Sequence, residues 1–170
     1  MRNNIKLVIS FLIATFCIMN LNCTRENESI CTEDIAEQIM NMEWEALDRW
    51  GNGDIDGYLD IYADEITYFS PGTEKRLDGI DTLKTLFRPM TGTVQVDHYE
   101  FINPKVQMIG NVALLTFNEI AFLPVKGGDL RESHWSCTEV YVKLNDEWKI
   151  IHSHWSRPPT HPTTDREEDI

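Results

Sequence analysis

Between residues 32 and 50 the apolar side chains Ile35, Ile39, Met42, Leu47 and Trp50 fall on one broad stripe at helical spacing. Glu33, Asp34 and Glu37 sit near the positive end of the helix dipole, and Gly51-Asn52-Gly53 predicts the stop. Asp54 is placed to cap a second short helix, Ile55 to Ala63, which would carry Tyr58, Leu59 and Tyr62 on one side. A short strand over Ile66 to Ser70 closes at Pro71-Gly72, and Arg76-Leu77 reads as a minor strand. Asp81 is then expected to cap a third helix, with Leu83, Leu86 and Phe87 inward and Pro89 as its limit.

Beyond that helix the period changes to two. Val94 to Met108 reads as a strand pair, or one strand broken at Asn103-Pro104, because proline cannot donate to a ladder. Gly110-Asn111 predicts a tight turn into Val112 to Leu123. Leu130 to Leu144 follows a loop containing Gly127-Gly128, and Asn145-Asp146 turns the chain into its last strand. That strand, Trp148 to Ser156, is bulky on both sides. Counted at period two, Trp148, Ile150, His152, His154 and Ser156 share one face, and Lys149, Ile151, Ser153 and Trp155 the other. Such a strand suits the middle of a curved sheet whose concave side holds a partly polar cavity, and a ligand is expected to touch it.

Helices first and an antiparallel meander last imply an α+β fold, the long first helix lying across the concave side of the sheet. With 170 residues there is room for one such domain, expected over residues 32–157. A polar tail rich in Pro, Thr and acid, residues 158–170, is expected to be disordered.

Residues 1–22 read as an export signal: Arg2 and Lys6 precede an apolar run from Leu7 to Met19 that is short for a bilayer span. Cys23 and the polar stretch to residue 31 then resemble a bacterial lipoprotein anchor and tether. Acylation of Cys23, with a periplasmic or cell-surface location, stands beside simple secretion. Net charge is −13, and removing the cations Arg2 and Lys6 leaves about −15, which disfavours nucleic acid and anionic membrane surfaces as partners. Contact with a membrane is expected only through Cys23. Of the remaining cysteines, Cys137 is expected to be buried, and the spacing neither pairs it with Cys31 nor forms a zinc or Cys-x-x-Cys motif.

Several short runs, in order, carry a family resemblance: Asn52-Gly-Asp54, Thr67-x-Phe69-x-Pro71, Asp78-Gly79-x-Asp81, His98 five places before Asn103-Pro104, Ile109-Gly110, Arg131-x-Ser133, Thr138 and Trp148-x-x-x-His152-x-His154-x-Ser156. Together they resemble the SnoaL-like members of the nuclear transport factor 2-like superfamily, and within it the association domain of calcium/calmodulin-dependent protein kinase II and its bacterial relatives. The resemblance implies a cystatin-like cone that forms homodimers through its sheet and encloses a pocket between sheet and helices. In the kinase hub that pocket carries several arginines. Here only Arg131 has a clear counterpart, and Glu139 stands where a second would be. A kinase domain has no room, so kinase activity does not carry over.

The resemblance and the strand faces together nominate ligand-binding residues. Arg131, Ser133, Trp135, Cys137 and Glu139 share one face, where Arg131 offers a forked donor to a carboxylate and Trp135 an apolar wall. The competing reading pairs Arg131 with solvent or Glu132. Tyr62, Phe69, His98, His152 and His154 complete the expected set. A zinc site from His98, His152 and His154 is conceivable in spacing, but network histidines without metal are the expectation, and no metal or cofactor is assigned. Relatives of this architecture include isomerases, dehydratases and polyketide cyclases. The ketosteroid isomerase arrangement combines a carboxylate base with a tyrosine and a protonated carboxyl as oxyanion donors. Tyr62, His98, Glu119, Glu139, His152 and His154 are the groups available for such chemistry, and spacing selects none of them. The expectation is therefore small-molecule binding by a homodimer, with acid–base catalysis as the alternative and an assembly module as the third possibility.

Overall fold

The computed structural model describes residues 33–159. The expected export signal and tether, with Cys23 and Cys31, and the residues beyond 159 lie outside the described residues.

Helix α1 runs over residues 33–51, and from Ile39 onward its buried stripe is Ile39, Glu43, Ala46 and Leu47. The i, i+4, i+8 positions 39, 43 and 47 face inward, so a glutamate is carried into the core on an otherwise apolar face. Helix α2 is a single turn, Asp56–Leu59, shorter than the spacing suggests. Its N-cap is Ile55, not Asp54 as the sequence suggests, although the Asp54 carboxylate accepts the Asp56 amide at 3.0 Å just ahead of the helix. Tyr62 falls in strand β1, Tyr62–Phe69, instead of the helix. Its β-branched and aromatic residues favour extended backbone, and Ala63, Ile66 and Tyr68 are buried there.

Gly57 explains how close α1 and α2 lie: a Cβ on it would stand 2.7 Å from the Ala46 carbonyl oxygen and 2.8 Å from Arg49 Cβ. Arg49 adds ion pairs to Asp54 at 2.7 Å and Asp60 at 2.8 Å, both half-open to solvent. Strand β2 is Leu77–Asp78, and helix α3, Ile80–Phe87, buries Leu83 and Phe87. Gly79 precedes α3 at φ 82°, so Asp81 belongs to the first turn and is not the cap. A 3-10 turn over Arg88–Met90 accommodates Pro89 near its start.

The remaining strands are β3 His98–Ile109, β4 Val112–Pro124, β5 Leu130–Leu144 and β6 Glu147–Ser156. They form one curved six-stranded sheet in the order β2-β1-β6-β5-β4-β3. The fold is α+β, and every pairing is antiparallel except that of β1 with β6. β3 is one strand, not two. Asn103, at φ 50°, and Pro104 interrupt its register between Ile102 and Lys105. That break lies on an edge strand, where a missing ladder donor costs least.

One irregularity decides what faces the helices. Tyr141 pairs with Ile150 and Val140 with His152, leaving Ile151 without a partner on β5. An extra residue reverses the alternation of everything after it. Ile150 and Trp148 are buried before the bulge, and after it Ser153 turns toward the helix-covered face together with Trp155. The expectation that His152 and His154 continue the face of Trp148 and Ile150 is thereby corrected.

Candidate functional site

A cavity of about 410 Å³ opens between the sheet and the helices. Its walls follow from the alternation already described. Tyr62 and Tyr68 reach it from β1 and Tyr58 from α2. Arg131, Ser133 and Trp135 reach it from successive inward positions of β5, and Trp155 and Arg157 from the end of β6. The Arg157 guanidinium lies 4.7 Å from the centre of the Trp135 ring, a cation–π contact at one end of the cavity. Trp155 packs edge-on against Trp135, Phe117 and Tyr58, with centroids 6.2, 5.7 and 6.1 Å apart.

Beside the β5 residues on the same sheet face stand Tyr99 of β3 and Glu119 of β4, the latter paired with Trp135. Phe101 pairs with Glu119 and Tyr99 with Ala121, so Tyr99 and Glu119 are diagonal neighbours on one face. Glu119 is only 3% exposed, and its Oε2 has no hydrogen-bond partner among the described residues. Burial first, and then the Glu43 carboxylate, push its pKa up to about 8. The Tyr99 hydroxyl is likewise buried and unpartnered. Gly51 makes room for it, since a Cβ there would stand 2.7 Å from the hydroxyl oxygen. Burial, aided by Glu119, pushes the Tyr99 phenol above the range in which it ionises in water. The cavity thus presents two buried polar atoms, one acidic carboxyl and one neutral hydroxyl, in an aromatic surround. This arrangement can exchange a proton with a ligand and hydrogen-bond an oxygen on it.

A second polar group lies deeper. Glu43 accepts Tyr58 Oη at 2.7 Å and Tyr141 Oη at 2.5 Å, while Ser153 Oγ donates to Glu139 Oε1 at 2.9 Å. Both carboxyls are fully buried.

Of the nominated residues, Tyr62, Arg131 and Trp135 line the cavity. Arg131 is exposed toward its mouth, and among the described residues it forms no ion pair with Glu132, whose partner is His134 at 2.9 Å. The others are elsewhere. His152 Nδ1 lies 2.8 Å from Thr67 Oγ on the sheet face turned away from Ser153, and its pKa is lowered by burial, then by His154 and Arg76. His154 is exposed beside Phe69, ring centroids 5.5 Å apart. Phe69 is itself 37% exposed and is not part of the cavity wall. His98 pairs with Asp97 at 2.8 Å and stacks on Phe122 at 4.1 Å, on edge strand β3. Two strands separate it from β6, so the three histidines are not brought together. Among the described residues no group of three His, Cys, Asp or Glu is arranged to hold a metal ion.

Glu43, Trp155 and Arg157 were not nominated from sequence. Glu43 had a readable signal, a lone acid four residues from Ile39 and from Leu47 on the buried stripe. Trp155 and Arg157 had none, because a bulge at Ile151 leaves no mark in composition.

Residues 39–160 match the model of the SnoaL-like domain, most of the chain. The chain belongs to the SnoaL-like family. This SnoaL-like chain is 35% identical to a ketosteroid isomerase-like protein of Parabacteroides distasonis ATCC 8503, covering 74% of its own length and 89% of the other, with a TM-score of 0.65. The association domain of the Caenorhabditis elegans calcium/calmodulin-dependent protein kinase II superimposes with a TM-score of 0.64 at 20% identity, covering 73% of this chain and 96% of that one. An uncharacterized protein with a cystatin-like fold from Caulobacter vibrioides gives 0.57 at 16% identity, covering 72% and 88%. The last two likenesses concern the fold. No curated protein matches the chain by sequence.

Proposed function

We propose that this SnoaL-like protein binds a small, largely apolar molecule in the cavity and moves a proton on it, with Glu119 as the acid–base group. The observation that carries the reading is the unpartnered Oε2 of Glu119, buried at the wall of an aromatic cavity with a pKa of about 8. A carboxyl poised near the working pH is suited to both taking and returning a proton. The substrate class that fits is a ketone with an acidic α C–H. Glu119 in its ionised form takes that proton, the electron pair moves onto the carbonyl oxygen, and the Tyr99 hydroxyl donates to the enolate oxygen so formed. Protonated Glu119 then returns the proton to a different carbon, completing a double-bond shift. The likeness to a ketosteroid isomerase-like protein supports this class. The cavity's aromatic walls exclude water from the enolate and so strengthen the donor at its oxygen.

The test uses a β,γ-unsaturated cyclic ketone, whose conversion to the conjugated enone is read by absorbance. Wild-type protein is expected to turn it over, and Glu119→Gln to lower kcat/KM by about 100-fold or more. Turnover unaffected by Glu119→Gln, or none by the wild-type protein while the ketone binds, would remove the catalytic reading.

A second reading has one specific support. Association domains share the fold, and we propose self-association through the outer sheet face that bears Phe69, His152 and His154. Sedimentation at micromolar concentration tests it, and a monomer would reject it. Export, with an acyl anchor at Cys23, completes the proposal. Fractionation of Cys23→Ala in the native host tests that part, since an unchanged membrane fraction would remove the anchor.

A further inference from the structure

Glu43 and Glu139 meet inside the cone with no lysine, arginine or histidine among their described ion-pair partners. Both are fully buried, and burial, followed by the neighbouring Glu43 carboxyl, raises the pKa of Glu139 well above its ordinary value. Two carboxylates cannot hydrogen-bond, because neither has a donor. The other contacts of each say which one takes a proton. Both Glu43 oxygens already accept a tyrosine hydroxyl, from Tyr58 and from Tyr141. Glu139 accepts Ser153 on Oε1, whereas its buried Oε2 has no hydrogen-bond partner among the described residues. A proton on Glu139 gives that oxygen a partner and removes one of two uncompensated buried charges.

We propose that Glu43 and Glu139 hold one proton between them, carried by Glu139 and donated to Glu43, and that this buried pair is a positioning device for the chemistry of Glu119. The pair reaches the cavity through its wall. Tyr58 donates to Glu43, Ser153 donates to Glu139, and Tyr58 lines the cavity. The Tyr58 hydroxyl is therefore anchored behind the wall. Tyr62, which also lines the cavity, is buried, and burial, followed by Glu139, raises its pKa. Glu119 and Tyr99 remain as the buried polar groups with an atom left over for a ligand. The single negative charge on the pair also acts on Glu119 from behind, disfavouring its ionised form. Tyr99 from β3 and Cys137 from β5 face Glu119 as neutral groups, their acidities suppressed by burial, and the cavity-lining cations Arg131 and Arg157 complete the charges around it.

The inference rests on the proposed role of Glu119, but its test does not require turnover. Full-chain protein selectively labelled with carboxyl-13C glutamate is titrated by NMR, and buried protonated carboxyls are followed in parallel by infrared spectroscopy. Glu139→Gln replaces a neutral donor with a neutral donor. It should fold with a nearly unchanged midpoint, delete one protonated-carboxyl band and leave the Glu119 titration in place. Glu43→Gln removes the charge while keeping an acceptor for the tyrosines, and should move the Glu119 midpoint to lower pH. If Glu43→Gln does not fold, Tyr58→Phe with Tyr141→Phe, which weakens the stabilisation of the Glu43 anion, serves as the second probe and should move the protonated band. A wild-type spectrum without a protonated carboxyl assignable to Glu139, or a Glu119 midpoint unmoved by Glu43→Gln, overturns the proposal. Either result leaves the ketone assay standing, so the two failures are distinguishable.

Discussion

Ser153 Oγ donates to Glu139 Oε1 at 2.9 Å, so position 153, and not the histidine on either side of it, is the inward one at this level of the last strand. The neighbour His152 meets Thr67 on the opposite face. Inside the cone the hydroxyl helps to hold a buried carboxyl. Outside it, the imidazoles lie beside the exposed Phe69 ring.

From this follows a separation of the two sides. Arg131→Ala is expected to weaken binding of an apolar fluorescent probe such as anilinonaphthalene sulfonate, because Arg131 lines the cavity. His152→Ala should leave that binding unchanged. A double-mutant cycle between them should show coupling below about 0.5 kcal/mol, the level of independent sites. Coupling above that would mean that the strand's two faces communicate through the ligand site after all.

Gly57→Ala is expected to destabilise the fold by about 1–3 kcal/mol, as overpacking does. The added methyl would meet backbone at 2.7 Å, the Ala46 carbonyl of α1, which cannot rotate away as a side-chain tip could. Urea unfolding measures it, and a loss under about 0.5 kcal/mol would show that α2 is free to shift.

How far the sequence could be read depended on whether a feature was periodic. β5 is uninterrupted from Leu130 to Leu144, and its alternation correctly grouped Arg131, Ser133, Trp135, Cys137 and Glu139 on the inner face. Counting back from the Asn145-Asp146 turn sets His154 beside Ser136 to within a residue or two. The structure pairs it with Thr138, two residues away, and Ile151 adds the phase change that turns both histidines outward. A bulge is a tertiary adjustment to sheet curvature, so nothing in the local residue types announces it. Glu119 lay among six candidates that spacing could not rank. What selects it is three-dimensional: burial, an oxygen without a partner, and a cavity in front of it. The short α2 is a similar case, where the tyrosine spacing suits a helix until Tyr62 is recruited to pair with Ile150.

Tyr141→Phe deletes the donor to Glu43 Oε2 from a fully buried site. The carboxyl loses a charge-assisted hydrogen bond with no water to replace it, so the expected cost is about 1–3 kcal/mol. Ser153→Ala removes the donor to Glu139, the carboxyl that holds the proton in the pair, and should cost less because that hydrogen bond is not charge-assisted. Chemical denaturation of the two variants orders them. Equal or reversed losses would indicate that Glu43 does not carry the greater charge.

The last expectation concerns pH. The Glu119 carboxyl has its pKa raised by burial, and secondarily by Glu43, from the ordinary 4.5 to about 8 in the folded chain. Between those values the folded protein holds a proton that the unfolded chain has released. A state that binds more protons loses ground as pH rises, so this group makes the fold most stable below about pH 4.5, progressively less stable toward about pH 8, and pH-independent above that. Glu139 acts in the same direction, its pKa raised by burial and by Glu43. Urea unfolding across this window should therefore show stability falling with pH. In Glu119→Gln, which has no carboxyl proton to lose at that position, the fall should be shallower than in the wild-type protein. Parallel slopes for the two proteins would mean that Glu119 holds no more proton in the folded chain than in the unfolded one, so that burial does not raise its pKa toward about 8 and the carboxyl is not poised to take and return a proton near neutral pH.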